Sequence, residues 1–322
     1  MKKLCTVILL AAAAFSTAGC ESSQTRTAQK KAPDIYMAGV AFGVPSYWKN
    51  GKIVQMRGLP EKFELTSICV SGNDVYVIGT NKTISKCWKN GQELPLKTRW
   101  NEAEVKSIAV SGSDVYVAGL EKNLTQTFAV LWKNGERTQL TDGKEWAEAN
   151  GVFVSGKDVY VSGNEYRKGY CVAQYWKNGI LNQLSDGSND MTTSSIFVSG
   201  NDVYVGSVHG SYWKNGQKTG LDGSGMNFSS GSIFVSDRDV YMCGRIDNRA
   251  VYWKNGALVY LAGDEYADAS AGGIAVIDGT VYVAGAEGGR VQLWVNGKGN
   301  GSPREYSEEG TASRANAVFV AQ

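Results

Sequence analysis

From residue 33 onward, apolar runs of three or four residues alternate with polar turns, and the same three runs return in the same order. Ser-Ile-x-Val-Ser-Gly-like segments centre on Val70, Val110, Val154, Val198, Val235, Val276 and Val320. Asp-Val-Tyr-Val-like segments begin at Asp34, Asp74, Asp114, Asp158, Asp202, Asp239 and Thr280. Trp-Lys-Asn-Gly begins at Trp48, Trp88, Trp132, Trp176, Trp213 and Trp253, and Trp294-Val-Asn-Gly is a seventh copy. Self-similarity at a period of 37 to 44 residues is the signature of a repeat architecture.

Each copy predicts four strands. Strand A is the Ile-x-Val run and strand B the Val-Tyr-Val run. Strand C ends on the Trp, and strand D runs toward a Leu or Met five residues past the hairpin Gly. Ser-Gly-Asn-Asp between A and B is turn chemistry. The Asn-Gly after Trp suits a two-residue hairpin, because both residues tolerate positive φ. Strands A and B are apolar on both faces, as in Ile196-Phe197-Val198, so the sheet is buried on both sides. Four-stranded sheets stacked face to face about an axis satisfy that demand. The chain opens on strand B (Asp34-Ile35-Tyr36-Met37) and closes on an orphan strand A (Ala317-Val318-Phe319-Val320). The tail therefore completes the first blade and removes an exposed edge. The expected fold is all-β: a seven-bladed β-propeller of four-stranded antiparallel blades, its ring closed by the C-terminal strand joining the N-terminal blade. The seventh copy of the D-strand Leu is Ser302, so the outer strand of the last blade is expected to be frayed or missing. Over residues 33–322 the pattern resembles bacterial propeller-repeat lipoproteins with VYVAG and WKNG repeats. That resemblance implies the fold and no activity.

The N-terminus adds an address. Lys2 and Lys3 precede an apolar run over 4–15 that is too short to span a bilayer. The run leads to Thr17-Ala18-Gly19-Cys20, which resembles a lipobox. The expectation is a lipoprotein signal peptide over 1–19 and a lipidated Cys20. Residues 20–32 then form a flexible tether with a reach of roughly 20 Å, and the propeller spans 33–322. The implied location is the bacterial cell envelope, lipid-anchored, with outer-membrane sorting favoured by Glu21.

Composition narrows the chemistry. The 33 basic residues, less Lys2 and Lys3, equal the 31 acidic ones, which removes the simple electrostatic case for nucleic acid. His209 is the single histidine, so zinc or copper sites built on two or three His ligands are excluded by count. No cofactor or metal is expected. Cys69, Cys87, Cys171 and Cys243 read as free thiols. Cys69 and Cys87 are two strand spacings apart, about 10 Å, beyond disulfide reach. The Asp opening strand B recurs too regularly to be a site, and hydrogen bonding within the A–B turn accounts for it.

The copies differ in one place. The A–B and C–D turns have fixed length, whereas the B–C and D–A connections vary, so one rim is uniform and the other differentiated. Function usually sits on loops carried by a rigid frame. The longest B–C loops, 120–131 and 164–175, belong to blades 3 and 4. Those blades also own Trp100 and Trp146, the two Trp residues outside the repeat. Trp100, Trp146, Tyr166, Tyr170, Glu102, Glu145 and Arg167 are therefore the candidate ligand-binding residues, with no catalytic residue assigned. Aromatic platforms beside charges suit a sugar ring or a protein hot spot. Hydrophobic capping of the rim is the alternative role for Trp100 and Trp146. The expected function is a monomeric, non-catalytic binding or scaffold module for an envelope protein or glycan. The alternative is a carbohydrate-active enzyme, a glycoside hydrolase or lyase, drawing on Glu102, Glu104, Glu145, Glu148, Asp264, Glu265, Asp268, Glu308 and Glu309.

Overall fold

A computed structural model describes residues 31–223, 228–261, 268–300 and 313–321. Pro33–Gln322 is one compact unit, and Met1–Ala32 is a separate one. The signal peptide, Cys20 and most of the tether lie outside the described residues, as do Asp264, Glu265, Ser302, Glu308 and Glu309.

Seven four-stranded antiparallel sheets form the structure, each in the order A-B-C-D from the axis outward. Strand A of each blade packs against strand A of the next, around to the start, so the blades form a ring. This is a seven-bladed β-propeller. The C-terminal strand Arg314–Ala321 pairs antiparallel with Asp34–Ala41, with Tyr36 opposite Phe319 and Ala38 opposite Ala317. The last blade does have its outer strand. Lys298–Asn300 pairs with Arg290–Val295, placing Val295 opposite Lys298 and Leu293 opposite Asn300. That pairing uses backbone groups and the Asn296-Gly297 turn, so it forms in three residues without the missing Leu.

The hairpin chemistry behaves as the sequence demands. Asn50, Asn90, Asn134, Asn178, Asn215, Asn255 and Asn296 all have φ near 50°, and the Gly after each is also positive. That is the type I′ signature, whose twist matches the strands it joins. The seven repeat Trp residues are buried between blades. Two of them reach backward across the interface: the Trp132 indole N–H donates to Lys97 O and that of Trp253 to Asp222 O, both at 2.9 Å.

The strand-B Asp works differently from the expectation. It bonds across the sheet to the C–D turn rather than within the A–B turn. In blade 2, Asn90 Nδ2 donates to Asp74 at 2.7 Å, Lys89 pairs with Asp74 at 2.7 Å, and Asn90 Oδ1 accepts the Val75 N–H. The Lys89 ammonium also lies 5.4 Å from the Tyr76 ring centroid. The same Asp, Asn, Lys and Tyr assemble in blades 1 to 6. In blade 7 Thr280 replaces the Asp and Val295 replaces the Lys, so both partners are lost together.

Every blade also carries a β-bulge within the first five residues of strand A. The residues at or beside the bulge stitch one blade to the next. Asn316 Nδ2 donates to Leu65 O at 2.9 Å, and Thr66 Oγ1 donates to Val105 O at 3.1 Å. Asn150 Nδ2 donates to Thr193 O at 3.0 Å. The Ile233 and Ile274 amides donate to Ser195 and Ser232 of the preceding blades. At the seam between blades 7 and 1 the bulge is Gly272-Gly273. There a Cβ on Gly273 would stand 2.6 Å from Val318 N, so the seam closes by backbone approach.

Candidate functional site

The B–C and D–A connections share one rim and bond to each other along it. The Tyr166 N–H donates to Trp146 O at 2.7 Å, Met191 N to Cys171 O, Val208 N to Thr192 O and Gly288 N to Asp268 O. In blades 3 and 4 the long B–C connections are not loops. Strands B and C continue upward as hairpins, Asp114–Lys122 with Thr127–Lys133, and Asp158–Arg167 with Tyr170–Lys177. Their tips are 123–126 and Lys168-Gly169, the latter pair both at positive φ. Alternating residues kept the hairpin backbone paired where length alone implied a loop.

The candidate residues separate into three positions. Trp100 lies in the wall between blades 2 and 3. It stacks on Phe128 with centroids 4.5 Å apart and an interplanar angle of 10°. The Arg99 and Arg137 guanidinium groups each lie 5.1 Å from its ring. Arg137 Nε donates at 2.5 Å to Glu121, a fully buried carboxylate that also accepts the Arg99 amide. Trp100 is thus one layer of an aromatic and guanidinium stack, half-buried against the interblade core.

Trp146 and Tyr166 share one face of the blade 4 hairpin by strand register. Arg167 and Tyr170, directly opposite one another, share the other face with Glu165. Arg167 donates to Glu165 through Nε at 2.9 Å and through a second guanidinium nitrogen. Trp146, Tyr166 and Tyr170 are 42, 43 and 42% exposed. Glu145 is exposed beside Trp146, and Glu102 is exposed in an ion pair with Lys122 at 3.2 Å.

Two side chains that the sequence did not single out extend this surface. Ile84, at the tip of the blade 2 hairpin, is 42% exposed, and Leu124, at the tip of the blade 3 hairpin, is fully exposed. With Trp146, Tyr166 and Tyr170 they are exposed apolar side chains at the rim ends of blades 2, 3 and 4, Tyr170 on the hairpin face opposite Trp146 and Tyr166. The other large exposed apolar side chains among the described residues, Val54, Ile180, Leu181 and Tyr260, lie on outer strands. The hairpin-tip signal was available: an apolar residue beside Asn81-Lys82 and another inside Asn123–Gln126 is out of place in turn chemistry.

The axis of the ring is a channel of about 850 Å³ lined by strand A of all seven blades. Its rim end is polar. Glu104, Lys106, Glu148, Asn150, Thr66 and Asn316 line it there. Lys106 bridges two blades, donating to Glu148 and, at 3.0 Å, to Asn150 Oδ1. His209 is exposed at the blade 5 turn. No group of three or more His, Cys, Asp or Glu positioned to hold a metal ion occurs among the described residues. Cys69, Cys87 and Cys243 are buried free thiols, and Cys171 is a half-buried one. Burial pushes Cys87 up to about 12 and Cys69 and Cys243 to about 11, which leaves little thiolate at neutral pH.

No protein-family model matches the chain, and no curated protein matches it. Among solved structures, the WD40 β-propeller domain of Doa1 is similar, with a TM-score of 0.52 and 15% identity, over 80% of this chain and 89% of that one. The computationally designed Ika8 protein matches with a TM-score of 0.49 and 17% identity, over 83% of this chain and 96% of that chain. The similarity to the WD40 domain is one of fold.

Proposed function

We propose that this protein is a non-catalytic binding or scaffold module, lipid-anchored through Cys20 in the bacterial envelope. It holds a protein partner against the rim of blades 2 to 4. The observation that carries this reading is the concentration of exposed large side chains, Ile84, Leu124, Trp146, Tyr166 and Tyr170, at the rim ends of three neighbouring blades. Side chains of that size projecting from two stiff hairpins and their neighbours are the composition of a protein-binding hot spot. Large exposed apolar clusters rimmed by polar groups mark interaction sites on soluble domains. Glu102–Lys122 and Arg167–Glu165 supply such a polar rim.

Photo-crosslinking in the native envelope tests it. A photoreactive residue at Leu124 or Tyr166 is expected to yield one discrete protein adduct, while the same residue at Lys157, on the opposite rim, yields none. Adducts of equal yield from both rims would end this assignment, and an adduct confined to polysaccharide would make the partner a glycan. Cys20→Ser is expected to release the protein from the membrane fraction.

The enzyme reading has one observation in its favour: Glu104 and Glu148, on adjacent blades, both line the channel. Lys106 already occupies Glu148, which favours binding over acid–base chemistry. Polysaccharide turnover abolished by Glu104→Gln or Glu148→Gln would reverse that preference.

A further inference from the structure

The channel wall has a second ring that the rim does not use. One residue of strand A, between two aliphatic positions, contributes to the channel wall in every blade. These residues are Phe319, Cys69, Ala109, Phe153, Phe197, Phe234 and Ala275, from blades 1 to 7 in order, and all line the channel. The flanking residues are Ile or Val throughout, so this position alone varies. Phe153, Phe197 and Phe234 pack as tilted pairs along one arc, with centroids 4.6 and 4.8 Å apart and interplanar angles of 45 and 49°. The opposite arc of blades 2 and 3 is small, Cys69 and Ala109. Phe319 of blade 1 stands apart from that arc, between Ala275 and Cys69, and the small residues of blades 2, 3 and 7 leave apolar space along the axis.

The mouth above that space carries an unbalanced charge. Lys106 is engaged by Glu148 and Asn150. Glu104 also lines the channel and makes no ion pair with any described residue. The lining therefore holds two carboxylates against one ammonium. Polar side chains that would otherwise compete for a ligand, Asn316, Thr66 and Asn150, are committed to the next blade's backbone carbonyls.

From the phenyl arc and the lone Glu104 carboxylate we infer that the channel is a small-molecule site for an amphipathic amine. The aromatic or branched apolar body lies among Phe153, Phe197 and Phe234, and the ammonium group meets Glu104. Pockets of 300–1,000 Å³ with apolar walls and few convergent polar groups are the usual form of such sites. A cation next to aromatic faces gains further from the ring quadrupoles. This inference is independent of the rim assignment.

Isothermal titration with three indoles that share one body separates the terms: tryptamine, tryptophol and indole-3-propionate. Tryptamine is expected to bind most tightly and the carboxylate least. Glu104→Gln is expected to weaken tryptamine about three- to fivefold, the worth of one partly exposed charge pair, and to leave tryptophol unchanged. Phe197→Ala is expected to weaken all three. It places at blade 5 the residue that blades 3 and 7 already carry there, so the fold accommodates it. Ala109→Phe with Ala275→Phe fills two of the three small positions, in blades 3 and 7, with the side chain four blades already use, and is expected to abolish binding. Equal affinity for the three probes, no binding of tryptamine at millimolar concentration, or binding that survives this double substitution would overturn the inference.

Discussion

Gly119 and Glu104 approach so closely that a Cβ on Gly119 would stand 2.1 Å from the Glu104 carbonyl oxygen. The cause is the strand-A bulge at Lys106, which pushes the preceding carbonyl toward strand B. The same contact recurs as Gly39 with Arg314, Gly79 with Glu64, Gly163 with Glu148 and Gly285 with Ser270. In these five blades the Gly two residues past the Val-Tyr-Val-like run is therefore the receiving half of the bulge, while blade 5 carries Ser207 there. Repeat glycine, bulge and interblade hydrogen bond form one device.

Gly119→Ala is expected to destabilise the protein by roughly 2–4 kcal/mol, because backbone must move to admit the methyl. Gly220→Ala, on an outer strand with open space around it and ordinary φ, is the control and is expected to be neutral within about 0.5 kcal/mol. Urea denaturation of both variants measures the difference.

The Asp–Lys–Asn units set an acid limb. Lys89 first and Asn90 second hold the Asp74 carboxyl below its ordinary value of 3.8, and the corresponding Lys and Asn do the same for Asp114, Asp158, Asp202 and Asp239. A carboxyl depressed on folding stabilises the protein above its unfolded value, and that contribution is lost as pH falls through the folded one. The melting temperature is expected to fall below about pH 4, less steeply in high salt because these groups are exposed. Asp114→Thr with Lys133→Val copies the pair found in blade 7. It is expected to fold and to flatten the acid limb.

Thiol chemistry reports the interior. Burial raises all four described cysteines, and Cys171 is the least buried. At pH 8 an alkylating reagent is expected to modify Cys171 first and to reach Cys87 and Cys243 only on unfolding, read by peptide mass spectrometry. Native modification of Cys243 ahead of Cys171 would contradict the packing of blade 6.

Closure of the ring is held in one strand. Ending the chain at residue 312 is expected to leave Asp34–Ala41 paired with Val44–Lys49 alone, its inner edge open. Its amides, protected in the full chain, then exchange faster by orders of magnitude. Unchanged protection in the shortened chain would mean the C-terminal strand is dispensable.

Much of this was legible in the sequence because its determinants are local or periodic. Asn-Gly fixes each C–D hairpin, seven copies count the blades, and the orphan final strand A closes the ring. What was not legible depends on neighbours that only the ring brings together. For Trp100 the sequence left a ligand platform and a hydrophobic cap both open, because its contacts with Phe128 and Arg137 come from strands C and D of the blade it enters. Leu124 and Ile84 stand out in the sequence as apolar residues in turns, but their exposure is set by how far each hairpin projects. The axial ring of Phe, Ala and Cys was visible as the one varying position of strand A. Its meaning required the knowledge that this position lines the channel.

The binding role is tested most directly on the purified partner recovered by crosslinking. Affinity for the intact protein is compared with that for the Trp146→Ala, Tyr166→Ala, Leu124→Ser triple variant, and with a Lys157→Ala, Lys177→Ala variant of the opposite rim. The triple variant is predicted to bind at least about a hundredfold more weakly at an unchanged melting temperature, with the opposite-rim variant equal to the parent. Equal affinities for all three proteins, or a loss that follows the melting temperature, would contradict the account.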